Sequence, residues 1–131
     1  MKIILLAVTA FFITSITQAQ TKIDTANLKA YVGKQVDTMS VADFLNYGKV
    51  ELNNPNLQVR SFTLAFSNIN CTECEMTTAH FHSNVFGKDW AAKTIKDLKS
   101  KLVKVSISEV KFYGPTGVDV YLDKEFNIIL K

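Results

Sequence analysis

The sequence predicts a single all-β domain, an antiparallel β-sandwich with one or two short helices. Three observations lead to this prediction. Apolar and polar residues alternate in about six or seven short segments, turn residues separate these segments every ten residues or so, and one stretch has convincing helical periodicity. Short strands at that spacing are typical of sandwiches, in which two layers each bury one face.

The first 19 residues have the pattern of a secretory signal peptide. Lys2 is followed by an uncharged, mainly apolar run of 14 residues at positions 3–16, below the roughly 20 that a membrane-spanning helix needs. A small residue at Ala19, with Thr17 two positions earlier, suits cleavage after Ala19. We therefore predict a periplasmic or extracellular protein with a signal peptide at 1–19, a flexible lead-in at 20–27 and a domain at 28–131.

Charge and composition narrow the classes of partner. The chain has 15 basic and 12 acidic residues, and loss of Lys2 with the signal peptide lowers its formal charge from +3 to about +2. A nucleic-acid-binding surface needs a far denser basic patch. No segment after the leader is long and apolar enough to cross a bilayer. We therefore expect a protein partner, no nucleic-acid partner and no membrane span, with the oligomeric state left open.

The first half of the domain contains short elements. Residues 28–32 form a strand candidate that ends at a glycine. The segment TMSVADFLNYG has Thr38 or Ser40 as a helix cap and Gly48 as a stop signal, so it predicts a helix of one or two turns. The segment KVELNN and, after the turn NNPN, residues 57–68 are the next strand candidates.

In two long strand candidates, the apolar residues move from one face of the strand to the other along its length. In the run LQVRSFTLAFSN, both phenylalanines and the leucine between them share one face, whereas Val59 has the opposite parity. In LVKVSISEVKFY, the apolar positions change parity between Ile107 and Val110. The first change predicts a bulge or a strand buried on both faces, and the second predicts a bulge near Ser108 and Glu109.

The segment DWAAKTIKDLKSKL predicts the main helix, with lysines on its exposed surface. Its apolar stripe consists of Ala91, Ile95, Leu98 and Leu102. We expect Trp90, at the start of this helix, to lie in the core rather than to form an exposed binding anchor. After the turn GPTG, the segments VDVYL and FNIIL are the last strand candidates.

Both cysteines lie in one short segment, CTECEMTTAHFH. A C-x-x-C pair is a redox motif when it opens a helix, because the helix N-terminus lowers the pKa of the first thiol. The residues after Cys74 alternate like a strand instead. We therefore favour a Cys71–Cys74 disulfide that closes a hairpin in an oxidising compartment, with a thiol-redox protein as the alternative.

The same segment holds both histidines, so the second alternative is a zinc or copper site made by Cys71, Cys74, His80 and His82. If residues 77–82 are extended, Cys74 and His80 lie roughly 20 Å apart, whereas ligands lie about 2.3 Å from zinc. The four-ligand site therefore requires a loop at 74–79. His80 and His82 alone share one side of a strand, about 7 Å apart, and can hold a surface metal weakly. Our main prediction is no cofactor, with two solvent-facing histidines.

The order of several short segments resembles a known family. The segments that carry the resemblance are, in order, AYVGKQVDTMSVADFLNYGKVEL, VRSFTLAF and VSISEVKFYGPTGVDVYLDKEFNIILK. Over residues 30–131 the chain resembles the C-terminal domain of the gliding-motility protein GldM. The landmarks are VGK at 32–34, the short helix, Ser61-Phe62 and the GPTG turn. The resemblance implies an immunoglobulin-like sandwich that contacts other proteins and is not itself an enzyme. The Cys71–Cys74 loop departs from the family pattern.

These observations predict a non-catalytic, secreted or periplasmic protein-interaction module. No Ser-His-Asp order, paired-carboxylate context or glycine-rich phosphate loop occurs in the sequence, so a hydrolase has no motif in its favour. An unpaired sheet edge is the expected binding surface, because its backbone groups are free to pair with a partner. The metal-binding or thiol-redox protein centred on the cysteines and histidines is the alternative.

Overall fold

The computed structural model describes residues 24–71 and 73–131, so the predicted signal peptide and the start of the lead-in lie outside the described residues. Over this part the chain forms an all-β fold with two short helices. In order, the elements are β1 (Ala30–Val32), β2 (Thr38–Met39), α1 (Val41–Tyr47), β3 (Val50–Leu52), β4 (Val59–Asn68), β5 (Thr77–Phe81), α2 (Lys88–Asp97), β6 (Val103–Tyr113), β7 (Asp119–Leu122) and β8 (Phe126–Leu130).

The larger sheet has six strands in the order β2-β8-β6-β4-β5, with β7 also paired to β6. All of its pairs are antiparallel except β2 with β8. The long strand β6 pairs with β4 on one side. On its other side, the first half of β6 pairs with β8 and the second half with β7. The sheet is therefore built around two long central strands.

A bulge bends β6 where its second partner changes from β8 to β7. The β4–β6 register shifts on both sides of the Ser61–Lys111 pair, and Glu109 has a left-handed backbone with φ of 51°. The predicted parity change in β4 and the predicted bulge at Ser108 and Glu109 are thus both confirmed. The bulge keeps Ile107 and Val110 buried on the same inner face.

The second layer covers the inner face of the six-stranded sheet, which gives a β-sandwich-like arrangement. It contains the two-stranded β1–β3 sheet and the two helices. Phe44 of α1 stacks on Phe86 with ring centroids 4.9 Å apart and meets Phe66 of β4 edge-on at 6.0 Å. All three rings are buried. Burial of such apolar surface is the main stabilising contribution to the fold.

The residues at the two ends of α1 cap the helix as the sequence predicted. The Ser40 hydroxyl accepts a hydrogen bond from the Asp43 backbone N–H at 3.1 Å, which satisfies a free donor of the first turn. Gly48 ends the helix in the left-handed conformation with φ of 62°, and its N–H bonds the Phe44 carbonyl. The predicted helix is confirmed, with Ser40 rather than Thr38 as its cap and Gly48 as its end.

Helix α2 is shorter than its apolar stripe predicted. It ends at Asp97, and Lys99 takes a left-handed backbone with φ of 50°, so Leu102 lies in the connection to β6. The Ser100 hydroxyl holds this connection, 2.7 Å from the Leu102 carbonyl oxygen and 2.9 Å from Asn68 Oδ1. The prediction that Leu102 continues the helical stripe is therefore wrong, because a local turn back towards β4 competes with the helix.

Trp90 packs against the core at the start of α2. It is partly buried and meets Phe66 and Phe81 edge-on, with ring centroids 5.3 and 5.6 Å apart. Two such aromatic contacts anchor the helix on the β4–β5 hairpin. The exposed-anchor interpretation of Trp90 is therefore not supported.

Candidate functional site

Strand β5 forms one edge of the six-stranded sheet. It pairs with β4 in the register Leu64–Ala79, and within the described residues no strand pairs with its other side. The opposite edge, β2, has just two residues. Natural edge strands are commonly protected by lysine, proline or a bulge, and the β5 sequence TTAHF has none of these. β5 is therefore longer and less protected than β2; within the described residues β7 pairs with β6 alone and is a further edge strand of this sheet.

Exposed apolar side chains flank this edge. Met76, immediately before β5, is 60% exposed, and Val85, shortly after it, is 51% exposed. Ile69, at the other end of the β4–β5 connection, is also exposed. The β5 edge with Met76 and Val85 forms a surface, residues 76–85, that offers both backbone hydrogen-bonding groups and apolar contacts.

The β4–β5 connection contains both cysteines. Their sulfur atoms lie at bonding distance, and their Cα atoms are 5.5 Å apart. The Cys71 backbone N–H bonds the Asn68 carbonyl at 3.2 Å, and the Asn68 side chain accepts from the Asn70 N–H. The described residues here form turns and bends, and a strand rather than a helix follows Cys74. The helix N-terminus that would activate a redox thiol is thus missing from this segment.

His80 and His82 are exposed on the outer face of the sheet, at the far end of β5 from the cysteines. Their ring centroids are 4.9 Å apart, closer than the backbone spacing of about 7 Å for alternate strand residues. Among the described residues, no three His, Cys, Asp or Glu side chains gather in a group that could hold a metal ion. The structure brings the two histidines together, but it does not gather Cys71, Cys74, His80 and His82 into the alternative four-ligand site.

The outer face adds two residues, Thr63 and Glu109, that the sequence did not predict as site residues. Thr63 of β4 lies opposite His80, and its hydroxyl is 2.8 Å from His80 Nδ1 and donates to Glu109 Oε2 at 2.9 Å. A hydroxyl has one proton, so its donation to the carboxylate leaves the oxygen as an acceptor for a proton on Nδ1. The chain of hydrogen bonds therefore runs from His80 through Thr63 to Glu109.

A shallow depression of about 240 Å³ lies beside the histidines. Its lining residues are Arg60, Ser61, His80, His82, Lys111, Asp119 and Tyr121. Asp119 binds Arg60 at 2.9 Å and lies 3.9 Å from the Lys111 ammonium. Arg60 also stacks on Tyr113, 4.1 Å from the ring centre. These contacts hold the two cations against the sheet.

No family model matches the chain, and no curated protein matches it. The class of protein is therefore defined by the structure alone, as an all-β, β-sandwich-like domain. Within residues 24–71 and 73–131, none of the helices has the length and apolar character needed to cross a membrane.

Proposed function

We propose that the chain is a non-catalytic protein-interaction module that works in the periplasm or outside the cell and binds an extended segment of its partner at β5. The observation that carries this proposal is the open β5 edge, unprotected by lysine or proline. An added strand pairs with free backbone groups, and neighbouring pockets or apolar side chains then select its sequence.

The surroundings of the edge favour binding. Met76 and Val85 supply apolar contacts at its two ends. A disulfide between Cys71 and Cys74 would restrict the connection that precedes β5, so that less conformational entropy is lost when a partner binds. The five residues of β5 are enough for a short added strand.

The proposed location rests on two features. Cysteines at disulfide distance fit an oxidising compartment, and the leader pattern at residues 1–19 indicates export. The resemblance to the C-terminal domain of GldM leads us to propose further that the sandwich is immunoglobulin-like and that its partner belongs to an envelope-associated assembly.

The outer-face cluster supports a non-catalytic role. In a hydrolytic triad the imidazole lies between the hydroxyl and the carboxylate and takes the hydroxyl proton. Here the Thr63 hydroxyl lies in the middle and donates a hydrogen bond to Glu109. This order differs from that of a hydrolytic triad.

A matched pair of variants tests the proposal. Thr78→Lys places a charge on β5, whereas Thr38→Lys makes the same change at an exposed threonine of the opposite edge, β2. The mature chain is immobilised, used to capture partners from the native envelope or culture fluid, and cross-linked to them. We expect cross-links at residues 76–85 that Thr78→Lys removes and Thr38→Lys retains. Capture that survives Thr78→Lys, or cross-links confined to other surfaces, would overturn the proposal.

A further inference from the structure

The two histidine rings have the spacing of ligands that share one metal ion. Metal–nitrogen bonds of about 2.0–2.1 Å place a metal about 3.2 Å from the centre of each ligating ring. When the angle at the metal between two such rings is about 90–109°, the two ring centres are about 4.5–5.2 Å apart. The observed separation for His80 and His82 is 4.9 Å. The rings are inclined by 77°, and both residues are exposed, so a metal ion can approach them from solvent.

The hydrogen-bond chain prepares His80 as a ligand. Because Thr63 donates its one proton to Glu109, a hydrogen bond between Thr63 and His80 requires the proton on Nδ1, and in that neutral tautomer the lone pair is on Nε2. Metal-binding histidines commonly donate their second N–H to a carboxylate or another acceptor, which fixes the ring and makes the free nitrogen more basic. Thr63 and Glu109 have this arrangement around His80.

A carboxylate also lies beside His80. Glu109 Oε2 is 3.9 Å from His80 Nδ1, so its negative charge attracts a cation that binds at the ring. The nearby cations Arg60 and Lys111 both lie within ion-pair distance of Asp119, which offsets one of their two positive charges. The cysteines lie in the connection before β5 and at bonding distance from each other, so they are not available as ligands.

We propose that His80 and His82 form a two-imidazole site for a transition-metal ion, with copper(II) bound more tightly than zinc(II) and water completing the coordination. Thr63 and Glu109 act as positioning residues. The order of metals follows the general stability series for nitrogen ligands, in which copper(II) exceeds zinc(II). The site differs from a four-ligand site because it does not use the cysteines, and it does not depend on partner binding at β5.

Titration of the metal-free mature protein with copper(II) alone tests the site. Calorimetry gives the affinity and stoichiometry, and electron paramagnetic resonance shows whether nitrogen ligands are bound. We expect one copper per chain with nitrogen hyperfine structure, and a loss of affinity of more than tenfold in both His80→Ala and His82→Ala. Circular dichroism of these variants should be unchanged because both side chains are exposed.

Two further variants separate this site from other copper sites. The double variant Cys71→Ser/Cys74→Ser should bind copper as the wild type does, whereas a four-ligand site would lose it. Copper that still binds stoichiometrically to His80→Ala/His82→Ala, for example at the amino terminus, would overturn the proposal, as would an absence of stoichiometric binding to the wild type.

The role of Thr63 has its own test. Thr63→Val should lower copper affinity about 10-fold, in the range found for residues that orient metal ligands. Nitrogen-15 chemical shifts of metal-free His80 should show the Nδ1–H tautomer in the wild type and a shift towards Nε2–H in Thr63→Val. An unchanged tautomer together with unchanged affinity would show that Thr63 does not position the ligand.

Discussion

Replacement of both cysteines by serine should weaken the fold modestly and loosen the β4–β5 hairpin. Cys71 and Cys74 are three positions apart, so a disulfide between them closes a loop of four residues. The chain-entropy relation for such a loop gives about 6 cal/mol/K, or about 2 kcal/mol at 25 °C, as the contribution to the free energy of unfolding. Because the double variant leaves no odd thiol, it reports this contribution without intermolecular cross-linking.

Urea unfolding of the wild type and of Cys71→Ser/Cys74→Ser, followed by fluorescence of Trp90, measures the effect. We expect the free energy of unfolding to fall by about 2 kcal/mol with little change in the slope against urea concentration. Wild-type protein treated with a reductant should behave like the variant. A change below about 0.5 kcal/mol would show that the disulfide does not form or does not restrain the unfolded chain, and a loss above about 4 kcal/mol would show that it supports packing beyond the loop.

Three further substitutions test the packing. Phe44→Ala should lower the free energy of unfolding in urea by about 3–5 kcal/mol, because the ring is fully buried; a loss below about 1 kcal/mol would contradict this. Ser40→Ala removes the hydrogen-bond acceptor of the Asp43 N–H, so it should lower the free energy of unfolding by about 1 kcal/mol and speed amide exchange in α1. Unchanged exchange would argue against the cap. Gly33→Ala should lower the melting temperature, because Gly33 has φ of 69° and a Cβ at this position would overlap the Tyr47 ring. An unchanged melting temperature would contradict that overlap.

The elements that the sequence predicted correctly depend on local signals. Helix α1 is bounded by Ser40 and Gly48, which act on backbone groups within one turn. The bulge at Glu109 shows in the change of parity between Ile107 and Val110. Such features need no knowledge of strand pairing, so alternation and capping residues are sufficient to place them.

The features that the sequence did not predict depend on contacts between distant residues. Strand β2 has two residues, and its pairing with β8 gives no periodic pattern. Thr63 and Glu109 are 46 positions apart, and they meet because β4 pairs with β6 and a bulge turns Glu109 towards the outer face. Their inclusion in the site therefore requires the strand register, which depends on the whole sheet. The signal peptide at residues 1–19 stays a prediction.

Amide hydrogen exchange at β5 tests the proposed binding mode most directly. Exchange of residues 77–81 is measured in the free mature chain and in the complex recovered with its captured partner. If the partner adds a strand, the amides of β5 that face away from β4 become protected in the complex, while those of the short opposite edge, Thr38–Met39, exchange as before. If β5 exchanges equally fast in both states while another surface becomes protected, the partner binds elsewhere and edge capture is wrong.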